Sequence, residues 1–152
     1  MIRKFLLLQG PVGPFFGMLA RQLKNGGHDV VKVNFNGGDE YFFSKANITG
    51  TSIDYEGTFE GWQDFIGNLA KTAAITDLVV YGDCRPVHKI AIQALKPFGI
   101  RIHVLEEGYF RPNWITYEEN GVNDYSSLPR DPESYMRHEI VKLPESPPVK
   151  ST

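Results

Sequence analysis

The sequence lacks the features that mark several large classes of protein. It has one cysteine, Cys84, among 152 residues, which excludes a disulfide framework and a zinc site built on several cysteines. No apolar run approaches the ~18 residues of a membrane span, and the run at 5–8 is too short for a signal peptide. Charge is nearly balanced, with 16 basic and 18 acidic residues, which argues against a nucleic-acid partner. These absences predict a cytoplasmic protein of a reducing compartment.

The sequence does contain a regular alternation of strand-like and helix-like segments. Four short apolar runs are typical of strands buried on both faces of a parallel sheet, at 5–8, 28–35, 77–81 and 100–105. Apolar residues recur at helical spacing between them, in the sets Phe15, Leu19 and Leu23; Trp62, Phe65, Ile66, Leu69 and Ala73; and Val87, Ile90, Ala91, Ala94, Leu95 and Phe98. This order predicts an α/β fold: an open, mostly parallel Rossmann-like sheet of at least four strands, with helices on both faces.

Three segments fall outside this alternation. Residues 36–60 have no clean period, and we interpret them as a loop or short hairpin. Residues 114–122 contain Asn120-Gly121 between apolar runs, which predicts a hairpin closed by a tight turn. The proline-rich end at 143–152 is typical of a linker or a frayed terminus, so we expect the Rossmann-like domain to span 1–142.

Polar, glycine-bearing segments follow each of the four predicted strands. Ligands of open α/β sheets bind beyond the carboxyl ends of the strands, so these segments predict one shared cleft. The candidate ligand-binding residues are Gln9, Gly10, Gly13, Asn34, Asn36, Gly37, Gly38, Asp39, Asp83, Arg85, Glu106, Glu107, Tyr109 and Arg111. The first loop is not a GxGxxG motif, but it precedes a helix whose free N–H groups suit an anion.

Structural roles explain several of these residues equally well. The 36–39 segment has turn chemistry, and Asp83 and Arg85 are explained as well by a pair at a helix start. Cys84 has no evident base beside it, so a small packed thiol fits better than a nucleophile. His88 and His103 are also expected to be structural.

Glu106 and Glu107 are the sharpest chemical signal in the chain. Two acids directly after an apolar strand place charge at the cleft edge, close to Arg111. Such a carboxylate suits general acid–base work or covalent catalysis at a sugar carbon. Adjacent side chains of a strand point to opposite faces, and the pattern alone leaves open which of the two faces the cleft.

Five blocks of this sequence, in order, resemble the bacterial capsule polysaccharide biosynthesis/export proteins of the KpsS/LipB type. The blocks are FLLLQGPVGPFF at 5–16, VNFNGGD at 33–39, YGDCRPVH at 81–88, EEGYFRPNWIT at 106–116 and LPRDP at 128–132. The resemblance implies a retaining glycosyltransferase that moves β-linked Kdo from CMP-Kdo to a (lyso)phosphatidylglycerol primer of Gram-negative capsule. It also implies a GT-B-like fold of two Rossmann-like halves facing across a cleft.

The resemblance assigns roles as well as a fold. It makes Glu107 the candidate catalytic carboxylate and the other candidates substrate-binding residues, with no metal and no cofactor. It also implies peripheral association with the inner membrane and contact with other capsule assembly proteins.

This chain departs from the family in length. Members are much longer, and their later His-Pro motif, associated with the CMP-sugar, has no counterpart here; His138-Glu139 is not that motif. We therefore expect the chain to be the first half of such an enzyme, to transfer no sugar alone, and to expose an apolar face that favours dimerisation. The alternative is a non-catalytic α/β module of the export machinery that holds a lipid or a partner. A flavodoxin-type nucleotide-binding domain is a weaker interpretation, because no phosphate fingerprint is evident.

Overall fold

Six strands form one sheet, and five of them run parallel. The computed structural model describes residues 1–45, 50–109 and 114–136. The strands are β1 (Lys4–Leu7), β2 (Asp29–Asn34), β3 (Thr51–Asp54), β4 (Asp77–Tyr81), β5 (Arg101–Glu107) and β6 (Ile115–Glu119). Their spatial order is β3-β2-β1-β4-β5-β6, with only β6 antiparallel to its neighbour. The carboxyl ends of β1 to β5 therefore lie at one edge of the sheet, as the sequence predicted.

Helices cover both faces of this sheet. They are α1 (Phe15–Asn25), α2 (Gly37–Ser44), α3 (Trp62–Thr72), α4 (Pro86–Leu95) and α5 (Pro132–Met136), with short 3₁₀ turns at Lys96–Phe98 and Asn123–Tyr125. Leu6 and Leu8 of the first strand segment pack on the α3 and α4 side, whereas Phe5 and Leu7 pack on the α1 side. A strand buried on both faces needs such a continuous apolar run, which is why this run predicts a strand of a parallel sheet. The predicted fold class is confirmed.

The interpretation of 36–60 as a loop or hairpin is wrong. The segment contains α2 and the parallel edge strand β3. Asn36 caps α2 by accepting a hydrogen bond from the Asp39 amide at 3.0 Å, so the apparent turn residues begin a helix. The strand was invisible because β3 is an edge strand whose residues are largely exposed, and it carries no apolar run.

The predicted hairpin at 114–122 is also wrong. Strand β6 pairs with β5 instead, in a register that sets Glu107 opposite Ile115 and His103 opposite Glu119. Asn120 adopts a positive φ of 72° where the chain leaves β6, so it ends a strand instead of closing a turn between two strands. Pairing with β6 also carries β5 two residues beyond its predicted end.

A charged cluster holds together the amino ends of the central strands. The Asp77 carboxylate is fully buried and accepts hydrogen bonds from Arg3 Nε at 2.8 Å, Thr76 Oγ1 at 2.6 Å and His103 Nε2 at 2.8 Å. Arg101 Nε lies 3.3 Å from the same carboxylate. Burial by itself raises the pKa of Asp77, but these hydrogen bonds outweigh it and hold the pKa well below its usual range. We call Arg3, Asp77, Arg101 and His103 the amino-edge cluster.

Two predictions concern parts of the chain that the structure does not test. The proposed domain boundary near residue 142 and the tail at 143–152 lie outside the described residues.

Within the described ranges, no helix has both the length and the apolar character needed to cross a bilayer.

Candidate functional site

A cavity of about 170 Å³ opens at the carboxyl edge of the sheet. It lies between the loop after β1 and the first turn of α2, with Arg85 at the start of α4 also contributing. Seven predicted site residues line it: Gln9, Gly10, Gly13, Asn36, Gly38, Asp39 and Arg85. We call this space the edge cavity. The structure thus brings half of the predicted residues to one place.

The loop at 9–13 approaches α1 closely because two of its residues are glycines. A Cβ added at Gly10 would lie 2.8 Å from the ring of Phe16, so a side chain there would displace the helix start. Gly13 has a φ of 120°, a conformation that residues with a side chain rarely adopt. The backbone of this loop can therefore form one wall of the edge cavity.

The second wall is the start of α2. The Asn36 side-chain oxygen accepts a hydrogen bond from the Asp39 amide, and Asp39 Oδ2 accepts one from the Phe35 amide at 3.2 Å. These bonds fix both side chains at the helix start. Gly37 begins the same helix but is exposed and does not line the edge cavity.

Lys32 is the cavity residue that sequence reasoning missed. It is only 1% exposed, and its Nζ donates to the Val33 carbonyl at 2.7 Å and to Asn34 Oδ1 at 3.0 Å. Burial lowers the pKa of Lys32 to about 8, against a smaller opposing effect of Asp39 and Asp54. A lysine inside the otherwise apolar run of β2 was the signal that could have found it.

Asn34 supports Lys32 from behind the edge cavity. Its amide nitrogen donates to Ser52 Oγ at 2.9 Å and to Asp54 Oδ1 at 2.8 Å, both on β3. These bonds leave its oxygen directed at Lys32 Nζ. The structure therefore places this predicted ligand residue in a positioning role within the sheet.

Asp83 and Arg85 separate after β4. Asp83 is buried and accepts a hydrogen bond from the Val122 amide at 3.0 Å, which ties the segment after β6 to the turn after β4. Arg85 lines the edge cavity, and the described residues show no ion pair between the two. The pairing considered from the sequence is not present.

Glu106 and Glu107 are the last two residues of β5 and point to opposite faces. Glu106 follows Val104 on the α3 and α4 side, and its Oε2 would lie 3.3 Å from a Cβ at Gly82. Glu107 follows Leu105 on the opposite side and is exposed. Neither residue lines the edge cavity. The alternation of side chains along β5 thus puts the two carboxylates on opposite faces of the sheet, and neither lies in the edge cavity.

The backbone after Glu107 is tightly constrained. The Gly108 amide donates to the Trp114 carbonyl at 2.9 Å. A Cβ at Gly108 would lie 2.5 Å from that carbonyl, so only glycine fits where the two chain segments cross. This crossing fixes the position from which the Glu107 side chain extends.

Tyr109 lies apart from the edge cavity, and Arg111 lies outside the described residues. Tyr109 is 80% exposed, and its hydroxyl donates to Asn123 Oδ1 at 3.2 Å. It lines a separate groove of about 470 Å³ beside β6. Arg111 falls in the gap between 109 and 114, so its role stays a prediction.

The remaining chemically notable side chains are bonded within the protein, but Cys84 is exposed, so the expectation of a packed thiol is wrong. The Cys84 thiol donates to Asp83 Oδ1 at 3.3 Å; that bond and desolvation raise the pKa of Cys84, which disfavours the thiolate. His88 is fully buried with Nδ1 2.7 Å from the Gly82 carbonyl oxygen, and burial lowers the pKa of His88 to about 4. Within the described ranges, no group of three His, Cys, Asp or Glu side chains is arranged to hold a metal ion.

Comparison with known proteins now supplies the family. The profile described as "Capsule polysaccharide biosynthesis protein" matches residues 76–152. The chain belongs to this family. It is 43% identical over 145 residues to the capsule polysaccharide export protein KpsS of Escherichia coli. It is 38% identical over 131 residues to the capsule polysaccharide modification protein LipB of Neisseria meningitidis serogroup A. The resemblance inferred from the five sequence blocks is confirmed.

This capsule-family chain spans about a third of the length of those relatives. The alignments cover 95% and 86% of this chain but 35% of KpsS and 31% of LipB. Among solved structures, MurG of Acinetobacter baumannii matches with a TM-score of 0.55 at 17% identity, over 74% of this chain and 37% of MurG. A Rickettsia africae glycosyltransferase matches with a TM-score of 0.52 at 15% identity, over 74% of this chain and 32% of the other. These likenesses show the fold: a mostly parallel sheet with helices, shared with part of each of these two glycosyltransferase structures.

Proposed function

We propose that this chain is the first half of a retaining β-Kdo transferase of capsule biosynthesis. In this proposal the complete enzyme moves Kdo from CMP-Kdo to a (lyso)phosphatidylglycerol primer. Membership of the capsule polysaccharide biosynthesis family, on a glycosyltransferase-like sheet, is the observation that carries it. Seven of the thirteen predicted substrate-binding residues line one cavity at the carboxyl edge of that sheet, which supports the proposal.

Glu107 is the proposed catalytic carboxylate. A retaining transfer needs a group on the face of the sugar opposite the leaving nucleotide, where a carboxylate attacks the anomeric carbon or stabilises its developing positive charge. Glu107 is exposed at the end of a strand whose backbone is fixed by β6 and by the Gly108–Trp114 crossing. An exposed carboxylate on a rigid strand end suits a site that a second half of the enzyme completes.

The test compares Glu107→Gln with Glu106→Gln in the complete enzyme, with Kdo transfer from CMP-Kdo measured directly. We expect Glu107→Gln to abolish transfer and to leave the melting temperature near that of the wild type, because an exposed side chain contributes little to packing. Glu106→Gln is the matched control, since it removes the same charge one residue away on the other face. Near-normal turnover by Glu107→Gln, or loss of turnover only in Glu106→Gln, would contradict the assignment.

The proposal also concerns what this chain does alone. A GT-B-like site needs groups from both halves, so we expect the purified 152-residue chain to transfer no sugar. Apolar side chains on and just before the outer strand β6 offer a surface for a second half or a second copy, because Trp114, Ile115 and Tyr117 are exposed there. Kdo transfer by this chain alone would overturn this part of the proposal.

A non-catalytic role in export is the competing outcome. The E. coli relative carries the word export in its name, and a lipid- or partner-binding module fits the same fold. Absence of Kdo transfer by the complete wild-type protein, together with loss of capsule export in cells that lack it, would favour that module. Peripheral contact with the inner membrane and with other capsule assembly proteins belongs to either version of the proposal.

A further inference from the structure

The edge cavity contains a positive charge that Asp39 and Asp54 offset only in part. Lys32 is buried at its base, and the described residues give it no ion pair. Its ammonium carries three N–H donors, and two of them are used by the Val33 carbonyl and by Asn34. A buried charge without a salt-bridge partner is costly to desolvate, so an anion bound beside Lys32 would lower that cost.

Other groups around the edge cavity favour the same sign of ligand. Arg85 adds a second cation, while Asp39 is the single carboxylate in the lining. Asp39 already accepts a hydrogen bond from the Phe35 amide, so part of its negative charge is offset within the protein. Helices α1 and α2 both begin at the edge cavity, and the N–H groups of a first helical turn lack intrahelical partners.

The size of the edge cavity limits what can enter it. Its volume of about 170 Å³ is below the ~300 Å³ at which pockets for whole drug-sized ligands begin. It exceeds the ~30 Å³ share of one water molecule several times. A compact tetrahedral anion fits this range, whereas an entire sugar nucleotide does not.

We infer that the edge cavity binds a phosphate ester, with Lys32 and Arg85 as its cations and the glycine loop at 9–13 as its backbone wall. Lysine serves phosphate as a point charge, and arginine adds directional donors. This inference rests on the proposed function for its source, because both proposed substrates contain phosphate. The lipid primer is favoured, since a headgroup phosphate presents little else to a cavity of this size.

The binding experiment uses the 152-residue chain and titration calorimetry with inorganic phosphate, glycerol phosphate and cytidine monophosphate. We expect saturable binding of glycerol phosphate, at least ten-fold weaker in Lys32→Met and several-fold weaker in Arg85→Gln. Lys71→Met, on α3 at the other face of the sheet, is the matched control and should bind as the wild type does. Arg85→Gln keeps the test valid if Lys32→Met fails to fold, because Arg85 is only partly buried.

The three ligands separate the possible sources. Tighter binding of glycerol phosphate than of cytidine monophosphate supports the lipid primer, while the reverse order overturns that choice. Absence of saturable binding to all three, or equal affinity in Lys32→Met, Arg85→Gln and Lys71→Met, overturns the site itself. In the complete enzyme, an unchanged KM for the primer in Lys32→Met, beside an inactive Glu107→Gln, would remove this inference and leave the transferase proposal standing.

Discussion

The two edges of the sheet bury charge in opposite ways. At the amino edge, Asp77 is surrounded by two arginines, a histidine and a threonine hydroxyl, so its charge is fully compensated within the protein. At the carboxyl edge, Lys32 is as deeply buried, but its ammonium donates to a carbonyl and an amide oxygen and lies 6.0 Å from the centre of the Phe43 ring, with no carboxylate of the described residues in an ion pair. A buried charge that is paired within the protein can hold strands together, whereas a buried charge without a salt-bridge partner costs stability. The amino edge therefore carries a buried charge that maintains the fold, and the carboxyl edge carries the buried charge to which we assign a ligand.

The largest expected effect is at the amino edge. Asp77→Asn should lower the free energy of unfolding by about 3 kcal/mol, because it removes a buried partner and leaves its cations unmatched. Asp29→Asn is the control, since Asp29 forms an exposed pair with Lys24 at 3.1 Å and should change stability by less than ~1 kcal/mol. Urea unfolding of both variants measures the difference. Equal stabilities would mean that the amino-edge cluster does not hold the sheet.

The next effect is a loss of stability in acid, at two separate stages. His88 has a pKa of about 4 in the fold and an ordinary value of 6.5 when unfolded, so the unfolded chain binds the extra proton between those values. Stability from His88 is therefore present above pH 6.5 and falls by about 3 kcal/mol as the pH drops to 4. Asp77, whose pKa is depressed, loses its contribution only below its ordinary value near pH 3.8.

Unfolding measured as a function of pH separates these stages. His88→Gln should flatten the slope between pH 6.5 and 4, and the further loss at lower pH should remain. An unaltered slope in His88→Gln would assign the first stage to another group.

A substitution at Lys32 should raise the free energy of unfolding, whereas one at Asp77 should lower it. Lys32→Met removes an uncompensated buried charge, so we expect the free energy of unfolding at pH 7 to rise by about 1–3 kcal/mol. The gain is limited because the Val33 carbonyl and Asn34 lose a donor. Chemical denaturation beside Lys71→Met measures it. A large loss of stability would show that Lys32 holds the fold, and the contrast between the two edges would fail.

The smallest effect concerns the glycine loop that walls the edge cavity. Gly13→Ala should cost about 1 kcal/mol through backbone strain alone, because φ is 120° and no atom lies within 4 Å of the added Cβ. Gly37→Ala meets no atom within 4 Å either, but its φ is not in the positive region, so it should be neutral or slightly stabilising. Thermal unfolding of this pair isolates the backbone requirement. Equal melting temperatures would show that the loop conformation adapts.

The sequence predicted the elements whose burial is visible as a pattern. Strand β4 has the predicted limits, and β1 and β2 differ from prediction by a residue at each end. Strand β3 and helix α2 were missed because β3 is exposed and Asn36 looks like a turn residue until its cap is seen. Strand β6 was assigned the wrong partner because register between distant segments depends on tertiary contacts.

The site was predicted less completely than the fold. Glycines and polar residues at strand ends located the edge cavity, because the carboxyl ends of parallel strands share one edge. Lys32 was not among the predicted site residues, because a charged residue inside a strand looks like an interruption of the apolar pattern. Asn34 and Asp83 were chosen as ligand residues, but their side chains are used within the protein, which only the hydrogen bonds reveal.

We expect Lys32 to keep a buried positive charge that lowers the stability of the fold, and its titration tests this directly. The measurement is the free energy of unfolding of the wild type minus that of Lys32→Met from pH 7 to 10.5, without phosphate. Lys32 has a pKa of about 8 in the fold and 10.5 otherwise, with Asp39, Asp54 and Arg85 nearby, so the unfolded chain holds the proton longer. We expect this difference to rise in favour of the wild type by about 3 kcal/mol between pH 8 and 10.5. Parallel curves across that range would contradict it.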